Sequence, residues 1–391
     1  MRNLINYFIV AFAILWSGGA ATYALFNDWS IYGFFLGVYL LKKRGISLGS
    51  SDYWLLILLN GLVLVQMMVY GGSFTTMIHQ VLIATCAYFA AKLVAKDFAS
   101  CFVNIMVSFA VISLPFYIAA NTGFYDTLLS IADRLPQLGV DNMMANGKQT
   151  DLHTLYLYNI YDSDFSVMNL RRNPGPFWEP GRFTIFLNLA IVINLFYFKE
   201  TVFSKKSIIL ILANITAMST TGIAAMVVIF FAYSIKGNMS LMKKTIVASV
   251  LLACLPTILS LDFMSDKIGE EMGSDATYSR FGAIAYHMTQ IEQSPFLGFG
   301  PFLSTVFGLD LASSPNGVSD SVRFFGIPVA IYIWFLLYRG TKVYVIGKFE
   351  RIVAFVVLMM LAFTQTIMMS PFYYMLYFFA NSKGKTIKKY A

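Results

Sequence analysis

The chain has 391 residues, 58% of them hydrophobic and only 12% charged, with a mean hydropathy of +0.67. This composition excludes a soluble globular protein and is that of a polytopic membrane protein. The net charge of +8 speaks for membrane sidedness and against nucleic acid as a partner, because the basic residues sit at the ends of apolar runs.

A spanning helix needs about 20 apolar residues. Met1-Arg2-Asn3 ahead of an apolar segment is similar to a signal peptide, but the many spans that follow make it a first transmembrane helix. Ile5 to Leu41 is interrupted at Asn27-Asp28-Trp29 and ends at Lys42-Lys43-Arg44, which predicts two helices with cytoplasmic outer ends. Trp54 to Tyr70 and Thr75 to Val94 form a second pair joined at Gly71-Gly72-Ser73. Phe102 to Ala120 leads into a first large outer loop, 121–182. There Tyr125, Leu128, Leu129, Ala132 and Leu135 follow helical spacing, predicting a helix lying on the membrane.

Phe183 to Phe198 returns to Lys199, Lys205 and Lys206, and Ile208 to Tyr233 then runs to Lys236, Lys243 and Lys244. Basic residues on both flanks require an even number of crossings, so two short helices are expected, breaking at Ser219-Thr220-Thr221-Gly222. Thr245 to Leu261 leads to a second large outer loop, 262–326. Ile327 to Tyr338 returns, and Ile352 to Met369 with Phe372 to Ala380 makes a last hairpin around Ser370-Pro371. The expectation is an all-α integral membrane protein with about 12 transmembrane helices, some short or re-entrant, forming one polytopic domain over 1–391 with both termini cytoplasmic. Charge agrees: of the 20 acidic residues, all but Asp28, Asp52, Asp97, Glu200 and Glu350 fall in the two loops. Of the 28 Lys and Arg, all but Arg134, Lys148, Arg171, Arg172, Arg182, Lys267, Arg280 and Arg323 lie at predicted cytoplasmic ends.

The densest polar cluster is Arg171-Arg172-Asn173-Pro174-Gly175-Pro176-Phe177-Trp178-Glu179-Pro180-Gly181-Arg182. Its prolines impose an extended loop, with a turn before a helix beginning near Arg182. The unpaired N–H groups of that helix start, with the forks of Arg172 and Arg182, make anion-binding chemistry. Glu179 is the best general base by type and setting, although the same cations would equally suit a structural ion pair. Trp178 and Phe177 either stack on sugar rings or anchor the chain at the interface. In the second loop Tyr278 to Gln293 reads as a helix with Arg280 and His287 on one face, as an anion clamp and a proton carrier or as snorkelling groups. Pro295 to Gly300 and Ser313 to Gly317 are flexible segments able to close over a substrate. Asp162-Ser163-Asp164 resembles the metal-holding triplet of sugar-nucleotide transferases, but lacks a strand context. His79 and His153 have no partner cluster, and the three cysteines, Cys86, Cys101 and Cys254, show no metal-ligand spacing.

In order and placement these features resemble the O-antigen polymerase family, the bacterial enzymes that join lipid-linked oligosaccharide repeat units. The segment from Arg172 to Gly181 is similar to the arginine, glycine and Glu-Pro signature of that family's large outer loop. Ser219 to Gly222 matches its small-residue helix break. Arg280 ahead of Pro295-Phe-Leu-Gly298-Phe-Gly300, and Asn316 ahead of Gly326-Ile327, match the second loop. Related O-antigen ligases carry a histidine where this chain has Pro315.

The resemblance implies inverting glycosyl transfer at the outer face of the bacterial inner membrane, from a polyprenyl pyrophosphate-linked glycan to a hydroxyl of an incoming lipid-linked unit. Glu179, Arg172 and Arg280 are then the expected catalytic residues, and Arg182, His287, Asn316, Arg323 and Trp178 the substrate-binding ones. Arginines in place of a metal ion leave no cofactor to expect. The implied partners are the lipid-linked donor and acceptor, membrane lipid, and a chain-length regulator and flippase of the same pathway. A ligase, or a flippase or transporter, is the alternative. A transporter usually has ionisable residues in mid-membrane, which this chain nearly lacks.

Overall fold

The computed structural model describes residues 2–20, 26–46, 50–135, 144–145, 148–149, 153–160, 170–236, 280–308 and 316–382, and these are mostly helical. The helices are α1 (Arg2–Trp16), α2 (Phe26–Lys43), α3 (Ser50–Tyr70), α4 (Phe74–Val94), α5 (Phe98–Ala120), α6 (Tyr125–Arg134), α7 (Pro180–Phe196), α8 (Lys205–Thr216), α9 (Thr220–Lys236), α10 (Arg280–Gln293), α11 (Leu303–Phe307), α12 (Gly317–Phe325), α13 (Ile327–Gly340), α14 (Lys348–Ala362) and α15 (Pro371–Phe378). Among the described residues, Tyr53–Tyr70, Phe74–Val94 and Phe98–Ala120 are long and apolar enough to cross a membrane, and α1, α7 and α9 are shorter apolar helices.

Two helices form the centre. Every residue of α15 is buried, and in α7 only Gly181 and Arg182 reach the surface. A helix enclosed on all sides needs partners for its polar groups. The Tyr373 hydroxyl donates to the Leu358 carbonyl at 3.2 Å, that of Tyr377 to Met368 at 2.8 Å, and Gln80 Nε2 donates to the Tyr374 hydroxyl at 2.8 Å. Around this centre α2 turns Tyr32 and Phe35 outward, and α3 turns out Trp54, Ile57 and Met68. Apolar faces this large suit contact with lipid.

The helix ends sort into two groups. At one end Asn6 donates to Asp97, Arg44 to Asn6 and the Leu93 carbonyl, and Lys206 to Asn104. Lys236, closing α9, pairs there with Glu350 in the first turn of α14. At the other end residues 17–20 meet 176–178, Tyr70 donates to Ser294, and Asn121 exchanges hydrogen bonds with Arg171.

Several expected boundaries move. The first break lies not at Asn27-Asp28-Trp29, which fall inside α2, but after Trp16. There Gly18 and Gly19 let the chain run alongside Phe177, with Ala20 N–H donating to the Pro176 carbonyl at 3.0 Å and Trp178 N–H to that of Gly18 at 3.3 Å. A tertiary strand contact replaces the polar signal as the cause. Nor is the first loop purely helical. Met144–Ala145 pairs antiparallel with Lys148–Gln149, and His153–Thr154 pairs with Asn159–Ile160. His153 has a partner after all, Asp133 at 2.7 Å. The expected span from Ile352 to Met369 stops at Ala362, and α15 starts only at Pro371. The break between α8 and α9 falls at 217–219, where Met218 adopts φ +47°.

Candidate functional site

The loop 171–182 is fixed by its own side chains. Arg171 donates from Nη1 to the Ala120 carbonyl at 3.2 Å, and its guanidinium lies 3.5 Å from the centre of the Tyr125 ring. Asn173 donates from Nδ2 to Ser113 and Thr216, and its Oδ1 accepts from the Gly175 amide. Gly175 has φ +54°, and a Cβ there would meet the Phe183 ring at 2.8 Å, so only glycine lets the loop close onto α7. Phe177, fully buried, stacks on Phe183 and Phe186. Arg172 Nε donates at 3.2 Å to the Ala217 carbonyl in the break between α8 and α9.

This rigid loop delivers Glu179 to the N-terminus of α7. Glu179 is the N-cap by backbone conformation, with Pro180 next, where a missing N–H costs nothing. Its side chain is half-buried and makes no hydrogen bond or ion pair with a described residue. The anticipated ion pair with Arg172 or Arg182 is therefore not formed. Arg182 instead donates to the Ser17 carbonyl at 3.0 Å and the Thr366 carbonyl at 3.2 Å, with its guanidinium 4.0 Å over the Trp178 ring. One face of Trp178 is thus covered by a cation rather than open to a sugar.

Thr366 belongs to the irregular segment between α14 and α15, where the surroundings of both loops converge. A Cβ on Gly181 would lie 2.9 Å from Gln365 Nε2, and one on Gly317 would lie 2.2 Å from the Gln365 carbonyl oxygen. The start of α7 and the start of α12 therefore pack on the same short segment. Sequence reasoning passed over Gln365. Its one available signal was Thr364-Gln365-Thr366, a polar triplet inside an apolar run.

On the far side of Gly317 lies a second polar cluster. Asn316 caps α12, accepting from the amides of Val318 and Ser319 at 3.1 Å each. Arg323 is fully buried, donating from Nε to Asp320 at 2.9 Å and from Nη1 to Gln290 at 2.8 Å. In place of the expected ligand contact, it joins α12 to α10. Burial raises the Asp320 carboxyl above the usual range, and the adjoining Arg323 charge opposes that shift. His287 is buried with Nδ1 2.8 Å from Ser319 Oγ. Burial, reinforced by the Arg323 charge, lowers its pKa to about 3, so it is neutral at ordinary pH and a weak base. The predicted proton carrier is thereby less suited to that role than Glu179.

Arg280 opens α10, but its side chain lies outside the described residues, as does Asp162-Ser163-Asp164. The glycine-rich segment after Pro295 is pinned, not free to close. Gln66 Nε2 donates to the Leu297 carbonyl at 2.7 Å and that of Phe324 at 2.9 Å, and Phe299 N–H donates to that of Arg323 at 2.9 Å. Among the described residues no group of three His, Cys, Asp or Glu is placed to hold a metal ion. No family model, curated protein or solved structure matches the chain.

Proposed function

We propose that the protein is a membrane glycosyltransferase that joins polyprenyl pyrophosphate-linked oligosaccharide repeat units into a surface polysaccharide. The observation that carries this reading is Glu179, a half-buried carboxylate without a partner among the described residues, held at a helix start where the surroundings of both loops converge. An unpaired carboxylate in a rigid frame is a base ready for use. The reading includes about 12 crossings of a bacterial inner membrane with both termini cytoplasmic. The grouping of helix ends supports it, since Lys236, Lys206 and Arg44 lie away from the end that carries Glu179.

In the proposed step Glu179 takes the proton of an acceptor sugar hydroxyl. The hydroxyl oxygen forms the new bond to the anomeric carbon of the donor glycan as the bond from that carbon to pyrophosphate breaks. The electron pair leaves with the pyrophosphate, and Arg172 and Arg280 are assigned to stabilise its charge, each contributing about a hundredfold in rate. Arg182 holds the frame. The test is the polysaccharide of cells lacking this chain: single capped repeat units support a polymerase, uncapped lipid carrier a ligase, and units retained inside the cell a flippase.

A further inference from the structure

Between α1, α2 and α4 runs an open groove of about 220 Å³, and no charged side chain lines it. Gly37 brings α2 against α4, since a Cβ there would stand 2.5 Å from the Phe89 ring, while Gly33 and Ala90 add little bulk to the lining. From Phe8 to Trp16 the groove follows α1 for about 12 Å. That is close to one leaflet, half of a hydrocarbon layer about 30 Å thick.

The two ends of the groove differ in charge. At one end stand Trp16, Tyr32 and Pro371, next to Ser17, whose carbonyl Arg182 holds on the side that carries Glu179. At the other end the α2 stripe of Gly33, Gly37 and Leu40 continues at helical spacing to Arg44, whose N–H bonds to the Leu40 carbonyl at 3.0 Å. The Arg44 guanidinium joins all three walls, donating at 2.8 Å to Asn6 on α1 and at 3.2 Å to the Leu93 carbonyl on α4. In and just past the last turns of α2 and α4 the chain also carries Lys42, Lys43, Lys92 and Lys96, against Asp97 alone, which accepts from Asn6. Lys42, Lys43 and Lys96 are exposed.

An apolar groove one leaflet deep, with cations massed at one end, complements an amphiphile with an anionic head. We propose that the groove holds one acyl chain of an anionic phospholipid, with the lipid phosphate beside Lys42 and Lys43. The position of the charge selects this occupant over a lipid-linked substrate, whose pyrophosphate, destined for the side of Glu179, would lie at the uncharged end. On the proposed topology the bound lipid belongs to the cytoplasmic leaflet. The site is separate from the polymerase reading and does not depend on it.

The test is native mass spectrometry of the full-length protein released from nanodiscs that contain phosphatidylglycerol and phosphatidylcholine in equal parts and an added polyprenyl phosphate. The wild type should retain one phosphatidylglycerol in preference to the other two lipids. Ala90→Phe, which fills the groove, should abolish that retention. Lys42→Gln and Lys43→Gln, at exposed positions where folding is not at stake, should each weaken it about fivefold. Equal retention of phosphatidylcholine would overturn the proposal, and so would preferential retention of the polyprenyl phosphate, which would give the groove to the carrier. Unchanged retention in the doubly substituted lysine variant would do the same, and that variant decides the matter if Ala90→Phe fails to insert.

Discussion

Arg323 reaches across from α12 to donate to Gln290 on α10 at 2.8 Å, while on its own helix it pairs with Asp320, and none of the arginine is exposed. Removing one member of a buried pair leaves an uncompensated charge, so Arg323→Met should destabilise the protein by about 3–5 kcal/mol. Combining it with Asp320→Leu should recover much of that loss, because no charge then remains inside. Thermal unfolding of the purified variants measures both. Equal stability of Arg323→Met and wild type would show that water reaches the pair.

His287 gives a pH dependence with a defined sign. Its folded pKa, about 3, lies below the ordinary value near 6.5, so below that value the unfolded chain takes up a proton the folded one refuses. Stability should fall as pH drops from about 6.5 toward 3, at roughly 1.4 kcal/mol per pH unit from this residue. Above that window the contribution is complete. His287→Gln should flatten this part of the curve. Melting temperatures at a series of pH values would reveal an unchanged slope if the assignment is mistaken.

Glu179→Gln should leave abundance and melting temperature as in wild type, since no contact of the carboxylate is lost. Its polymerisation rate should fall by about two orders of magnitude or more. Arg182→Lys should do the reverse. A lysine cannot bridge the Ser17 and Thr366 carbonyls while lying flat on Trp178, so about 1–3 kcal/mol of stability goes with the fork. Comparing melting temperature and rate for the two variants separates base from frame.

Gly317→Ala places a methyl group 2.2 Å from a backbone oxygen of Gln365, a neighbour unable to rotate away. Overpacking of this kind costs about 1–3 kcal/mol. The start of α12 should separate from the segment after α14, and proteolysis of the native protein should report that local opening. Protection equal to wild type would mean that the contact is dispensable.

Lys236 and Glu350 pair across α9 and α14, so cysteines at these positions should be joined by a bifunctional thiol-reactive cross-linker. In intact cells a cysteine at 236 should resist a membrane-impermeant thiol reagent, while one at Asn121 should react. Labelling at 236 from outside would overturn the proposed pair of crossings by α8 and α9.

Much of this arrangement was legible as spacing. Apolar runs with basic ends marked α3, α4 and α5 closely, because long helices are set by local periodicity. Two helices were expected between Ile208 and Tyr233, and a break is found there, at 217–219 and so just ahead of the expected Ser219 to Gly222, while the prolines before Glu179 foretold the loop entering α7. What escaped was whatever depends on contact between distant segments. Gly18 and Gly19 break the chain to meet Phe177, and the end of α14 is set by its packing on Gly181 and Gly317. Neither partner stands near the other in sequence. The charge pattern marked Arg323 as one of eight basic residues away from the predicted cytoplasmic ends, but only the fold reveals Asp320 and Gln290 around it.

Helix α8 has 12 residues, about 18 Å of helix, against a hydrocarbon layer about 30 Å thick. Its outward side carries Ile208, Leu212 and Ile215, so in the proposed arrangement acyl chains beside it meet a wall too short for them. In the proposed two-crossing arrangement of α8 and α9 the adjacent leaflets thin to match it, next to the contacts of Thr216 and Ala217 with Asn173 and Arg172. On the proposed function, a carrier lipid arriving there lifts its pyrophosphate through that thinner slab. On that reading, acyl-chain length in the surrounding membrane becomes a control on how readily the carrier presents its cargo.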